Sequence, residues 1–455
     1  RRSVRGHTRE RDIMHTRTVI GTAGILALCG TAASAQDIDW INAVDGNWSD
    51  AGSWAGGNIP DTSTEVPVLG LVGMYTVTST ANRTFGGVRI TNPDAAFNWG
   101  TNSYSCFGDV LNNGVINLNF NNSSFNSNLF FQANATISGS GTIRFNANAG
   151  TDDSAINAGA FIVTHASGHT IAGSGQLTGT MLNMGDIIAD EIGGQGLRLN
   201  GTLDQAGGGR VIADGGTIIL GNGSISTGGE FASMNGGVIN VPSNLASING
   251  VNITGDVTIN GGGDTLGLNG DIFNNGSISI NDNLNIFNAH IRFDADAAIN
   301  GTGAITMAMI TGDQGDAQIY TNGVLTGRIG SGQTVSGSGQ IDGRSGGTII
   351  NNGTIIANDD AFPLGISGSH SAGSGEYRAE GDGVLQLNNG SVLDGLTFDS
   401  SDNGSVEIDG GLITASNITN KGVMGIRGGG RTLGLVGTLT NNNTVNVNSN
   451  DNIFN

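Results

Sequence analysis

Two stretches of this chain are near copies of each other. Residues 261–288 read GGGDTLGLNGDIFNNGSISINDNLNIFN and residues 428–455 read GGGRTLGLVGTLTNNNTVNVNSNDNIFN, agreeing at 16 of 28 positions with a constant offset of 167. That offset exceeds any single supersecondary unit, so smaller repeats must lie inside it. The pattern predicts an array, with function spread over a long surface rather than set in one pocket. Further matches fill the interval. CFGDVLNNGVINLNF at 106–120 returns as LNGDIFNNGSISIND at 268–282, and FQANATISGSGTIRF at 131–145 returns as FDADAAINGTGAITM at 293–307. HTIAGSGQLTG at 169–179 returns as QTVSGSGQIDG at 333–343, and NMGDIIAD at 183–190 as NNGTIIAN at 351–358. One block therefore spans 105–267 and a second 268–434. A third opens at 435 and reaches Asn455 without a capping pattern, so the sequence is expected to be a fragment whose C-terminal anchor or translocator lies beyond it.

Within the blocks two phrases keep returning: N-x-G before an alternating strand, and apolar-x-G-x-G-x-apolar. In SISIN, Ile278 and Ile280 fall on one face and Ser277, Ser279 and Asn281 on the other, which is strand periodicity. Glycine, 79 of 455 residues, supplies corners that need positive φ, and dispersed Val, Ile, Leu and Ala suit a narrow core without Trp. The fold expected is all-β, a right-handed parallel β-helix (β-solenoid) of roughly 17 coils, about 80 Å long at ~4.8 Å per coil. An antiparallel β-sandwich array is the alternative, because N-G and D-G pairs also make hairpin turns.

The N-terminal part has a different composition. MHTRTVIGTAGILALCGTAASA at 14–35 has a basic start, an apolar run from Val19 to Cys29 and an Ala33-Ser34-Ala35 ending. This is the form of a secretory signal peptide cleaved after Ala35, and it predicts an extracellular or cell-surface location. Leu28-Cys29 lacks the small residue that a lipoprotein signal carries before its Cys. Residues 1–13 have no initiating Met and are read as an extension or as upstream sequence. All four Trp (Trp40, Trp48, Trp54 and Trp99) lie in the first hundred residues, which marks 36–104 as an N-terminal cap over the first coil. The stretch DWINAVDGNWSDAGSWAGGNIPDTSTEVPVLG, with the repeats downstream, resembles the passengers of bacterial autotransporters and haemagglutinin-like surface proteins. The resemblance implies a non-catalytic protein at the cell surface, acting in adhesion, aggregation or envelope structure on a surface, glycan or matrix ligand.

From residue 36 onward 12 basic side chains face 36 acidic ones, and Lys421 is the only lysine. Such a chain is repelled by phosphate backbones, so no nucleic-acid partner is expected. No second apolar run of ~20 residues offers a membrane span. Parallel β-helices also carry polysaccharide lyases and glycosidases, which makes Asp152 with Asp153, Asp359 with Asp360, and Asp399 with Asp402 the carboxylate pairs to weigh. Adjacent Asp in an acidic chain are usually turn residues, and cations to hold an acidic sugar are scarce, so no catalytic residue is assigned. A spacer for a missing C-terminal domain is the other alternative.

His165 and His169 have the i, i+4 spacing of a helical metal site, but Gly168 and the strand pattern argue against a helix, and the second block has Ile329 and Gln333 there. GGGDTLGLNGD at 261–271 has the look of a calcium-binding β-roll, yet Arg431 and Thr438 replace Asp264 and Asp271 in the next copy. No metal or cofactor site is assigned; structural calcium is the one weak candidate. Cys106, aligned with Leu268 and Leu435, reads as a small core residue, and a single exported thiol gives no internal disulfide.

Overall fold

The computed structural model describes residues 35–447 except 243, 282–286 and 372. The extension, the expected export signal up to Ser34 and the last eight residues of the third block lie outside the described residues. The chain is all-β, with parallel strands stacked as a β-solenoid of about 17 turns. Three strands make a turn, so a typical strand pairs in register with the third one after it, as Asp256–Ile259 does with Ser277–Ile280. Among the described residues every ladder is parallel, and the one antiparallel contact is an isolated bridge between Trp40 and Trp54. The antiparallel sandwich is thereby excluded.

Alternation fixes which side chains turn inward. In Ser277–Ile280, Ile278 and Ile280 are buried while Ser277 and Ser279 are half-buried on the outside. Ile278 belongs to a column of in-register core residues: Ile239, Val257, Ile278, Ile305, Val335, Ile355, Tyr377 and Phe398. None is more than 1% exposed. Each buried aliphatic side chain contributes about 1.5–3 kcal/mol. Successive members of the column stand 18 to 30 residues apart, so the turns have a constant core and corner loops of variable length.

The duplicated block is not a whole number of turns. From Ile116, strand pairing leads through Ile143, Ile171, Ile187, Val211, Phe231 and Ile253 to Asn274 in seven turns. The sequence equivalent of Ile116 is Ile278, one strand beyond Asn274. Each copy thus advances seven turns and one strand, and equivalent residues appear on neighbouring faces of the solenoid.

The Trp-rich segment is continuous with this array. Strand Gln36–Asp39 pairs with Glu65–Leu69, and the loop between them folds back so that Trp48 lies 4.9 Å from Phe97 and 6.0 Å from Phe85, ring centre to ring centre. Trp54 meets Trp40 edge-on at 5.0 Å and donates its indole N–H to the Trp48 carbonyl. Edge N–H groups that have no preceding strand are taken by carboxylates: Asp45 accepts from Thr76 and Asp61 from Thr84. The core is also wider here than its aliphatic composition implies, since Trp99 is fully buried and stacks on Tyr104 at 4.7 Å.

Candidate functional site

The two phrases of the repeat meet inside the solenoid. Asn112 opens an N-x-G phrase; its side-chain carbonyl accepts the Gly114 N–H at 3.1 Å, which leaves its amide N–H₂ facing inward. That amide reaches His169 Nε2 at 3.1 Å, two turns further along. Between them lies the turn Gly139-Ser140-Gly141, where glycine is required. A Cβ on Gly139 would stand 2.1 Å from the Asn112 carbonyl oxygen at a φ of +107°, and one on Gly141 would stand 2.2 Å from the Gly114 carbonyl oxygen. The G-x-G phrase thus lets successive turns approach backbone to backbone, and in the second copy a Cβ on Gly303 would also stand 2.8 Å from Asn274 Nδ2.

His169 in turn meets His165, Nδ1 to Nε2 at 3.0 Å. No helix brings them together. The turn at Ala166-Ser167-Gly168 does, with Gly168 at a φ of +83°. Beyond them His165 Nδ1 lies 2.6 Å from Asn183 Oδ1, the Asn183 amide donates to Gln205 Oε1 at 3.2 Å, and the Gln205 amide donates to the Gly228 carbonyl. The hydrogen bonds run in one direction. Because the Asn112 amide donates to His169 Nε2, the neutral His169 carries its proton on Nδ1 and donates it to His165 Nε2, and His165 likewise donates from Nδ1 to Asn183. All five side chains are at most 1% exposed. Burial lowers the pKa of His165 to about 4 and of His169 to about 3, with the neighbouring imidazole lowering His169 further. Every ring nitrogen has a protein partner, so the pair forms a continuous hydrogen-bonded strut through the core. In the second copy Asn274 and Gln333 exchange two hydrogen bonds at 2.9 and 2.7 Å across the equivalent turn.

The carboxylate pairs are likewise engaged by the fold. One oxygen of Asp153 accepts the N–H groups of Asn148, Ala149 and Gly150, and Asp316 holds Ile310 and Thr311 in the same way in the second copy. Asp359 accepts the Ser338 hydroxyl at 2.6 Å with one oxygen and the N–H groups of Ala361 and Phe362 with the other. Asp399 accepts its neighbour's N–H at Ser400, and Asp402 sits in a turn at a φ of +57°. Asp152 and Asp360 border these same loops.

Asp271 accepts the Ala298 N–H at 2.7 Å, as Asp109 does for Thr136 one block earlier. Asp264 is buried in its strand, and desolvation raises its pKa to about 6. Among the described residues no three His, Cys, Asp or Glu side chains gather as a metal site. Cys106 is fully buried, and desolvation pushes its thiol up to about 12.

The outward faces carry polar ladders. The Gln318 amide donates to Gln340, and Gln340 donates to the Ser367 hydroxyl, each at 2.8 Å. Asn388 also donates to Ser367, and at 2.6 Å to Gln314, whose own amide reaches Gln386. Clefts open where corner loops project. One of about 190 Å³ lies beside Asp359, Phe362, Gln386 and Arg427. A larger one, about 580 Å³, lies between the loops that follow strands Val115–Leu118, Thr142–Asn146 and Asp186–Ala189. Sequence reasoning did not single out this second cleft, because its walls come from three loops up to 75 residues apart, Phe120 to Gln195. No helix among the described residues is long and apolar enough to cross a membrane. No protein-family model, curated protein or solved structure matches this chain.

Proposed function

We propose that the chain is an exported, non-catalytic bacterial surface protein whose solenoid works as a stiff adhesive or structural rod. The observation that carries this reading is the uninterrupted parallel ladder, which turns a few hundred residues into a lateral surface about 80 Å long. Each turn contacts only its neighbours, so length and contact area grow together when blocks are added. Weak contacts repeated along such a rod multiply by valency. The hydrogen bonds that occupy Asp153, Asp359 and Asp399 support a structural role for these carboxylates over acid–base chemistry. The signal-like segment before Gln36 and the Trp-rich opening support export and surface display.

The test is expression of the chain with its N-terminal segment in a bacterial host, followed by fractionation and an adhesion assay on glycan- and matrix-coated surfaces. Recovery outside the inner membrane, cleavage after Ala35 and retention on one or more surfaces are expected. Uncleaved cytoplasmic protein that adheres to nothing would overturn the proposal.

A further inference from the structure

The cleft of about 580 Å³ is within the size range of small-ligand sites, and its lining has a definite chemical character. It arises from one missing loop. The chain passes this corner in successive turns as loop 119–126, loop 147–153, the unbroken strand Thr170–Asn183 and loop 190–196. The second and third loops therefore stand on either side of a turn that has none. They touch above it, where the Gln195 amide donates to the Asn148 carbonyl oxygen at 3.1 Å.

Three side-chain amides in the lining are oriented by the backbone. Asn146 donates its N–H₂ to the Leu118 carbonyl at 2.9 Å, Asn148 donates to the Asn122 carbonyl at 3.0 Å, and Gln195 donates to Asn148. Each bond assigns the nitrogen end of its amide, and the opposite oxygen of each accepts no hydrogen bond from the described residues. The site thus presents three fixed carbonyl acceptors. Glu191 adds a carboxylate with no hydrogen bond to the described residues, and burial raises its pKa. Phe120 and the largely exposed Ile192 supply an apolar border.

No Arg or Lys lines the cleft, and Arg144, whose charge acts on Glu191, is committed to Asp190 through two hydrogen bonds of 2.9 and 3.1 Å. An anionic ligand would therefore meet acceptors and a carboxylate with no counter-charge. A ligand that donates several hydrogen bonds from hydroxyl groups and rests C–H faces against Phe120 and Ile192 satisfies every group present.

We propose that this cleft binds a short segment of neutral, hydroxyl-rich glycan. The proposal rests on the adhesive reading above and gives it a specific ligand class. It also fixes the stoichiometry at one. In the second block the positions of Glu191, Ile192 and Gln195 are taken by Asp359, Asp360 and Pro363, so Ile192 and the Gln195 amide are not retained.

Isothermal titration of the intact chain with cello-, laminari-, manno- and chito-oligosaccharides tests this, with oligogalacturonate and calcium chloride as comparators. One neutral oligosaccharide should bind once per chain. Its affinity should fall at least tenfold in N148A/Q195A and severalfold in I192S, a largely exposed position whose change should leave the thermal midpoint unaltered. Three results would overturn the proposal: no heat from any neutral oligosaccharide at millimolar concentration, binding that neither variant weakens, or calcium binding that the double variant removes. Retention on glycan- and matrix-coated surfaces is measured on the same samples. Retention of the wild-type chain on these surfaces with no oligosaccharide binding sinks the cleft but leaves the adhesive reading, whereas a wild-type chain that neither binds an oligosaccharide nor is retained sinks both.

Discussion

Asn112 and His169 hydrogen-bond at 3.1 Å although they are 57 residues apart and a full turn of the solenoid lies between them. The turn between them packs closely on the first, where a Cβ on Gly139 or Gly141 would meet the carbonyl oxygen of Asn112 or Gly114. The contact makes the two recurring phrases of the sequence halves of one device, and its consequences are measurable.

Gly139→Ala should be among the most damaging small substitutions in the chain. It combines a positive φ with a backbone oxygen 2.1 Å from the new methyl group. A loss of about 3 kcal/mol or more is expected in urea denaturation. Gly223→Ala is the control, with a φ of +75° and nothing within 4 Å, and should cost only about 1–2 kcal/mol. Equal losses would show that close approach to the Asn112 carbonyl is not what requires glycine at 139.

Replacing His169 by Leu leaves the Asn112 amide and His165 Nε2 without partners in the core, and should cost about 3 kcal/mol. The double variant H165I/H169Q installs the second copy's solution, in which Gln333 pairs with Asn274 beside Ile329. It should remain within ~1 kcal/mol of the parent by the same urea titration. If the double variant is as unstable as the Leu variant, the two blocks do not share this device.

Acid should destabilise the fold well above the range of ordinary carboxylates. His165, His169 and His370 are buried and neutral, with pKa values of about 4, 3 and 4 set by desolvation. Unfolding returns each to about 6.5, so the unfolded chain binds more protons between those values. Their stabilising effect is complete above pH 6.5 and is lost as pH falls toward 4, on the order of 3 kcal/mol per histidine. Asp264, raised to about 6, works in the opposite sense. Thermal midpoints measured from pH 7 to pH 4.5 should fall steeply, and less steeply in H165I/H169Q. A flat profile would contradict the buried neutral pair.

Cys106 should be inert in the folded chain. Its buried thiol, pushed up to about 12, provides almost no thiolate at neutral pH. Labelling with a thiol reagent should require denaturant, and rapid labelling of native protein would mean that the turn at Cys106 opens.

Much of this architecture was legible in the sequence. The alternation of Ile278 and Ile280 with Ser277 and Ser279 gave the strand and its buried face, and block copying gave the array. The contact of Asn112 with His169 was not legible, because it depends on how turns of 18 to 30 residues stack. The i, i+4 spacing of His165 and His169 suggested a helix or nothing, whereas a turn at Gly168 joins them. The stacking of Trp99 on Tyr104 was not legible either, since it depends on which strands neighbour each other. The one-strand advance of each block was hidden as well, since sequence offset alone does not count strands.

The proposed rod binds its ligand without turning it over. The most direct measurement is a surface-binding assay on immobilised polysaccharide in which retention of the intact chain and release of sugar into solution are followed together. Retention with no released sugar over many hours is predicted. Release of reducing or unsaturated fragments, abolished by substituting Asp359 or Asp153, would contradict it and make the solenoid an enzyme.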